Sequence, residues 1–175
     1  MYICSFKIYV APRTLPRHER NGTIHMEDSR KTVDSRKAAR EFTVGLLFAK
    51  SFAPEEDADT FFARELDNSE AALGLFGDYV RGAFFGVSDN IADIDAKISE
   101  AAAGWSLSRI SKASLAIMRL AVYEMTSVDD VPKRVALNEA IELAKKFDDE
   151  KAPSFVNGVL NSIAHSLPDR ECDKK

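Results

Sequence analysis

The sequence predicts an all-α fold of about seven helices, and three observations carry that prediction. After Asp34 the apolar residues recur three and four apart, and no alternating stretch is long enough for a strand. Pro54, Gly104, Pro132 and Pro153 each fall where one helical period ends or the next begins. The stretch 110–125 is apolar nearly all round, as a helix is when neighbours cover several of its sides.

The first helix is expected from Ser35, a good N-cap, to about Ala53, with Pro54 stopping it. An acidic link, Glu55-Glu56-Asp57, leads to a second helix over 58–66 that carries Phe61 and Phe62. A third covers roughly 70–87, with Leu73, Phe76, Val80 and Phe84 at helical spacing. Ser88 or Asp89 caps a fourth, built on Ile91, Ile94 and Ile98 and ending near Gly104. Trp105 opens a brief turn and, like the phenylalanines, is assigned to the core.

The fifth helix starts near Ser106–Ser108 and runs to about Thr126, leaving a polar sliver of Ser108, Lys112, Arg119 and Tyr123. It is expected to be the central post. Glu124 falls on its apolar side, where a carboxylate is costly unless bonded, so it is read as tying helices together through backbone or Asn groups. Pro132 opens the sixth helix and Pro153 the seventh. On the sixth, Ala136, Leu137, Ala140, Ile141, Leu143, Ala144 and Phe147 share one half of the wheel; Asn138, Glu139, Glu142, Lys145 and Lys146 share the other. Glu142 with Lys146 reads as an i,i+4 pair. On the seventh, Phe155, Val156, Val159, Leu160 and Ile163 form one stripe, with Gly158 placed for close approach of a neighbouring backbone.

With 175 residues, 45% hydrophobic and 30% charged, the chain has the make-up of one soluble globular domain. Residues 1–34 read as a disordered amino-terminal tail, or as sequence upstream of a start at Met26. Residues 35–168 form the helical domain and 169–175 a charged tail. A net charge of −4 argues against coating nucleic acid by overall charge and leaves room for a local basic patch. No apolar run reaches the roughly 18 residues of a membrane span. Cys4 and Cys172 lie in the tails, which fits a reducing, cytoplasmic setting without a disulfide framework.

The strongest signal outside the core is Ser35-Arg36-Lys37-Ala38-Ala39-Arg40. Arg36, Lys37 and Arg40 fit within an arc of about 100° on a helix, and Arg30 and Lys31 extend the cluster upstream. Cations at a helix N-terminus oppose the macrodipole, so helix stability does not explain them; phosphate contact does. A solvated face is the competing reading, with Glu27, Asp28, Asp34 and Glu41 interspersed. Enzymatic readings have less support. His18 and His25 lie in the tail, and His165 has no partner at metal-ligand spacing. There is no Cys-x-x-Cys, Gly-x-Ser-x-Gly or phosphate-cradling glycine loop. No catalytic residue, metal or cofactor is assigned.

Several segments together resemble the NusB family: Ala39-Arg40-Glu41, the run Arg119-Leu-Ala-Val-Tyr-Glu-Met125, Val131-Pro132, the sixth helix over 135–147 and Phe155-Val-Asn-Gly-Val-Leu160. The likeness spans about Ser35 to Leu167 and is loose between Pro54 and Ser106. It implies seven helices in two small bundles and a role in transcription antitermination. It also implies pairing with NusE, a small-subunit ribosomal protein, on single-stranded boxA-type RNA within an RNA polymerase antitermination complex. The family's arginine-rich segment maps onto Arg36, Lys37 and Arg40, with Lys in place of Arg at 37 losing the bidentate fork. In the loop before the last helix Lys151 is the one phosphate contact, opposed by Asp148, Asp149 and Glu150. The family includes monomers and homodimers. The alternatives are a structural or dimerising module, and an RNA-binding domain related to those of ribosomal RNA methyltransferases.

Overall fold

Seven α-helices follow one another in the computed structural model, which describes residues 35–68 and 73–174. They are α1 (Arg36–Lys50), α2 (Ala58–Asn68), α3 (Gly77–Asp89), α4 (Ile91–Ala101), α5 (Lys112–Ser127), α6 (Lys133–Phe147) and α7 (Ala152–Ser166). Short 3-10 turns lie at Leu107–Arg109 and Glu171–Lys174. The readings of the amino-terminal tail, of Arg30 and Lys31, of His18 and His25, and of Cys4 lie outside the described residues.

The helix boundaries follow local chemistry. The Ser35 hydroxyl accepts the Ala38 amide at 3.1 Å, the cap expected for α1. That helix closes at Lys50, short of Pro54, because the Ser51 amide and hydroxyl both bond back to Phe48 and the Lys50 ammonium takes the carbonyls of Ala53 and Pro54. Asp57 caps α2 by accepting the Thr60 amide at 3.0 Å, and that bond lowers its carboxyl pKa. Helix α3 begins at Gly77, so residues 73–76 of the expected helix are not part of it, and the expected start over 70–72 lies outside the described residues. Leu73 and Phe76 keep helical spacing and pack on the core, but they do so from a turn that leaves Leu75 94% exposed. Ser88 and Asp89 belong to α3, and Asn90 stands at the cap position of α4. Gly104, with φ of +86°, takes the left-handed conformation just beyond α4.

The start of α5 is also later than the periodicity suggested. Ser106 precedes the 3-10 turn and Ser108 lies within it, and Ser111 is the true cap, accepting the Ser114 amide at 3.0 Å. From there α5 is the central post, packing against α1, α3, α4, α6 and α7. Ala116, Ile117, Met118, Leu120, Ala121, Val122 and Met125 are buried along it. Each of the large ones stabilises the fold by roughly 1.5–3 kcal/mol relative to an exposed side chain. The polar sliver is used for fastening: Arg119 grips Asp95 of α4 through two bonds of 2.7 Å, and Lys112 donates to the Ser51 carbonyl. The buried residues of all seven helices form one continuous cluster, so the amino-terminal helices share a core with α4–α7.

Three expectations are corrected by packing. Gly158 is exposed with open space around it; the close approach is at Gly86, where an added Cβ would lie 2.2 Å from the Tyr123 ring. Trp105 is 48% exposed, resting on Phe155 with their ring centres 5.7 Å apart and the Arg109 guanidinium 5.3 Å from the indole. Residues 168–174 fold back rather than trailing as a charged tail. Arg170 donates to the carbonyls of Glu124 and Val128 at the end of α5 and of Val131 in the connection to α6, and Lys133 Nζ reaches the carbonyls of Ala164, Leu167 and Pro168.

Candidate nucleic-acid interface

Helix α1 places its basic first turn at the end of α5 by running antiparallel to it. Arg36 and Arg40 meet Asp130 and Glu124 at one end, and Ser51 meets Lys112 at the other. The three predicted cations therefore share a neighbourhood but not a role. Lys37 is exposed. Arg36 is half-buried, its guanidinium 4.9 Å from the centre of the Tyr79 ring and its Nη2 2.6 Å from Asp130. Arg40 is only 5% exposed and points inward.

Arg40 is the middle of a buried polar rail. Its Nε donates to both oxygens of Glu124 at 3.0 and 3.2 Å, and its Nη1 lies 3.4 Å from Glu139 Oε2. Tyr79 Oη donates to Glu124 Oε1 at 2.8 Å. This carboxylate, which is 1% exposed, joins α1, α3 and α5, and Arg40 carries the rail on to α6 through Glu139. The helix-tying role read for Glu124 is what the structure shows, but its side-chain partners are Arg40 and Tyr79 rather than backbone or Asn groups. Burial pushes the Glu124 carboxyl up from its ordinary value, against the opposing pull of the Arg40 charge and the Tyr79 bond. Burial and the adjacent carboxylate raise the Tyr79 phenol, so it stays a donor.

The cation positions on α6 also differ from the wheel reading. Lys146 pairs across the helices with Glu41 of α1 at 2.6 Å, while Glu142 takes Lys145 at 2.6 Å. The Lys145 bond holds the Glu142 carboxyl below its ordinary range. Between α1 and α6 lies a cleft of about 260 Å3 lined by Lys37, Glu41, Glu139, Glu142, Leu143, Lys145 and Lys146.

Lys151 is not part of the α1 cluster. Asp148 accepts from the Ser111 hydroxyl and from the amide and hydroxyl of Ser114, which ties the α6–α7 loop to the amino-terminal end of α5. That end is separated from Arg36 by the length of α1, on the order of 20 Å. Asp149 accepts the amides of Lys151 and Ala152 and so caps α7. Two of the three acids expected to oppose Lys151 are thus occupied as caps, and Lys151 is exposed. Among the described residues no three His, Cys, Asp or Glu side chains group as a metal would require. No described helix is long and apolar enough to cross a membrane.

Comparison with known proteins places this geometry in a family. Residues 36–165 match the model described as the NusB family. The chain is 43% identical over 136 residues to a transcription antitermination protein NusB of Levilactobacillus brevis, covering 77% of this chain and 94% of that one. A solved NusB from T. maritima superposes with a TM-score of 0.72 at 30% identity, covering 81% of this chain and 98% of the other. A chain from a crystal structure of NusB and NusE in complex with double-stranded RNA shares the fold, with a TM-score of 0.67 at 24% identity over 75% of this chain and 97% of that one.

Proposed function

The chain belongs to the NusB family, and on that premise we propose that it acts in transcription antitermination. It binds single-stranded boxA-type RNA together with NusE, as part of an RNA polymerase antitermination complex in the cytoplasm. It works by binding, not by catalysis. The observation that carries the RNA reading is the first turn of α1, which holds no acidic residue and presents an exposed Lys37 beside a half-buried Arg36 whose partner, Asp130, is itself largely accessible.

The contacts follow from the side-chain chemistry. Lys37 meets phosphate as a point charge. Arg36 offers a planar fork held flat by Tyr79, and swings from Asp130 to phosphate. Arg40 is a positioning residue here, holding the turn in place from below. Lys151 adds a phosphate contact at the far end. With so few surface cations, RNA binding by this chain alone is weak, and a second surface from NusE tightens it.

Gel shift with a boxA-type RNA, with and without NusE, tests the reading. The parent should bind weakly alone and more tightly with NusE, and the Arg36→Gln/Lys37→Gln variant should lose most of that affinity. Equal affinity of parent and variant would remove the site assignment.

A further inference from the structure

We propose that the cleft between α1 and α6 is the middle section of the RNA track, cradling one nucleotide. The phosphates rest on Lys145 and Lys146, and an amino or imino group of the base donates to Glu139. This extends the RNA reading given above and rests on it.

Three observations support the assignment. The two proposed contact points, Lys37 and Lys151, lie toward opposite ends of the α1–α5 pair, and α6 supplies Lys145 and Lys146 in its last turn, directly before the loop that carries Lys151. The cleft offers a path between the two points, since its walls bring Lys37, Lys145 and Lys146 together. The second observation concerns how those lysines are held. Each is paired with a surface carboxylate, Lys145 with Glu142 and Lys146 with Glu41, and more than half of each lysine side chain remains accessible. Such pairs contribute little stability and exchange readily for phosphate. The third is Glu139. It is fixed from behind by buried Arg40 through Oε2, and its side chain is still 32% exposed in the cleft wall. A carboxylate held in this way is an acceptor for a base N–H edge, and it repels phosphate toward the lysines at the rim.

The test is a salt series. Binding of a single-stranded boxA-type RNA to the full chain with NusE is measured for the parent, Lys145→Gln/Lys146→Gln, and Lys97→Gln on α4, which does not line the cleft. For single strands each phosphate contact adds about 0.7 to the slope of log affinity against log salt, so losing two should flatten it by about 1.4. The Lys97→Gln slope should match the parent. Glu139→Gln presents a donor where only an acceptor stood, and should change which base is preferred at one position of the RNA while leaving the slope unchanged. A parental slope in the double lysine variant, or unchanged base preference in Glu139→Gln, overturns the proposal even if Arg36→Gln/Lys37→Gln still weakens binding. Failure of the parent to bind RNA at all would instead remove the reading beneath it.

Discussion

Arg40 and Glu124 lie 84 positions apart in the chain and 3.0 Å apart in the structure, Nε to Oε1, both shut off from solvent. Replacing Arg40 by Met leaves a carboxylate buried with only Tyr79 to bond it. Removing one partner of such a pair costs about 3–5 kcal/mol. The loss should also depend on pH in a defined sense. Glu124 already has its folded pKa raised by burial, and losing Arg40 raises it further. Such a group gives its full contribution below the unfolded pKa and loses it as pH rises through the folded one. Urea unfolding should therefore show the largest deficit in Arg40→Met near neutrality, shrinking toward the ordinary glutamate range. A deficit independent of pH would mean that Glu124 is not the group left stranded.

Gly86 and Tyr123 form a second coupled pair. Gly86→Ala drives a methyl into the Tyr123 ring and should destabilise by about 1–3 kcal/mol, the usual range for overpacking. In a Tyr123→Ala background the same change should reverse sign and stabilise α3 by up to about 1 kcal/mol through helix propensity. A double-mutant cycle by thermal unfolding checks the reversal.

Asp130 holds Arg36 at 2.6 Å, with two thirds of its side chain accessible. Asp130→Asn should leave stability within about 1 kcal/mol, as exposed ion pairs generally do. It should strengthen RNA binding by freeing the guanidinium. Binding titrations on parent and variant at one salt concentration decide it, and weaker binding by Asp130→Asn would show that Asp130 orients Arg36 for the ligand instead of competing with it.

Arg170→Ala should release the folded-back carboxyl-terminal segment, leaving the carbonyls of Glu124, Val128 and Val131 without this donor. The expected cost is about 1–3 kcal/mol. The segment also depends on Asp173. Burial pushes that carboxyl up, but the amides of Lys133 and Arg170 and their charges outweigh burial and hold it below the ordinary range. A carboxyl lowered in this way contributes stability above its unfolded pKa and loses it as pH falls through the folded one. Limited proteolysis should therefore cut near Pro168 faster in Arg170→Ala, and faster in the parent on acidification.

The helices were legible in the sequence where one apolar period ran between clear punctuation. Helices α6 and α7 are punctuated by Pro132, Asp148 and Pro153, and the pattern there matches their bounds to within a residue or two. Helices α3 and α5 begin later than the pattern predicts because apolar or cap-forming residues precede their true starts: Leu73 and Phe76 before α3, and Ser106 and Ser108 before the working cap Ser111. The site was half legible. A helical wheel places Arg36, Lys37 and Arg40 on one arc but does not say that the arc straddles the surface. What draws Arg40 inward is Glu124, and what draws Lys146 from Glu142 is Glu41, 105 positions away. These partners come from other helices, so a pattern that looks only along one helix does not contain them.

The α6–α7 loop shows a consequence of double capping. Asp148 ties it back to α5 while Asp149 takes the amides of Lys151 and Ala152, so little of its backbone is left to fluctuate. Amide hydrogens at 151 and 152 should exchange slowly for such an exposed segment. A ligand meeting Lys151 then finds the backbone already ordered, and gives up only side-chain rotamer freedom on docking.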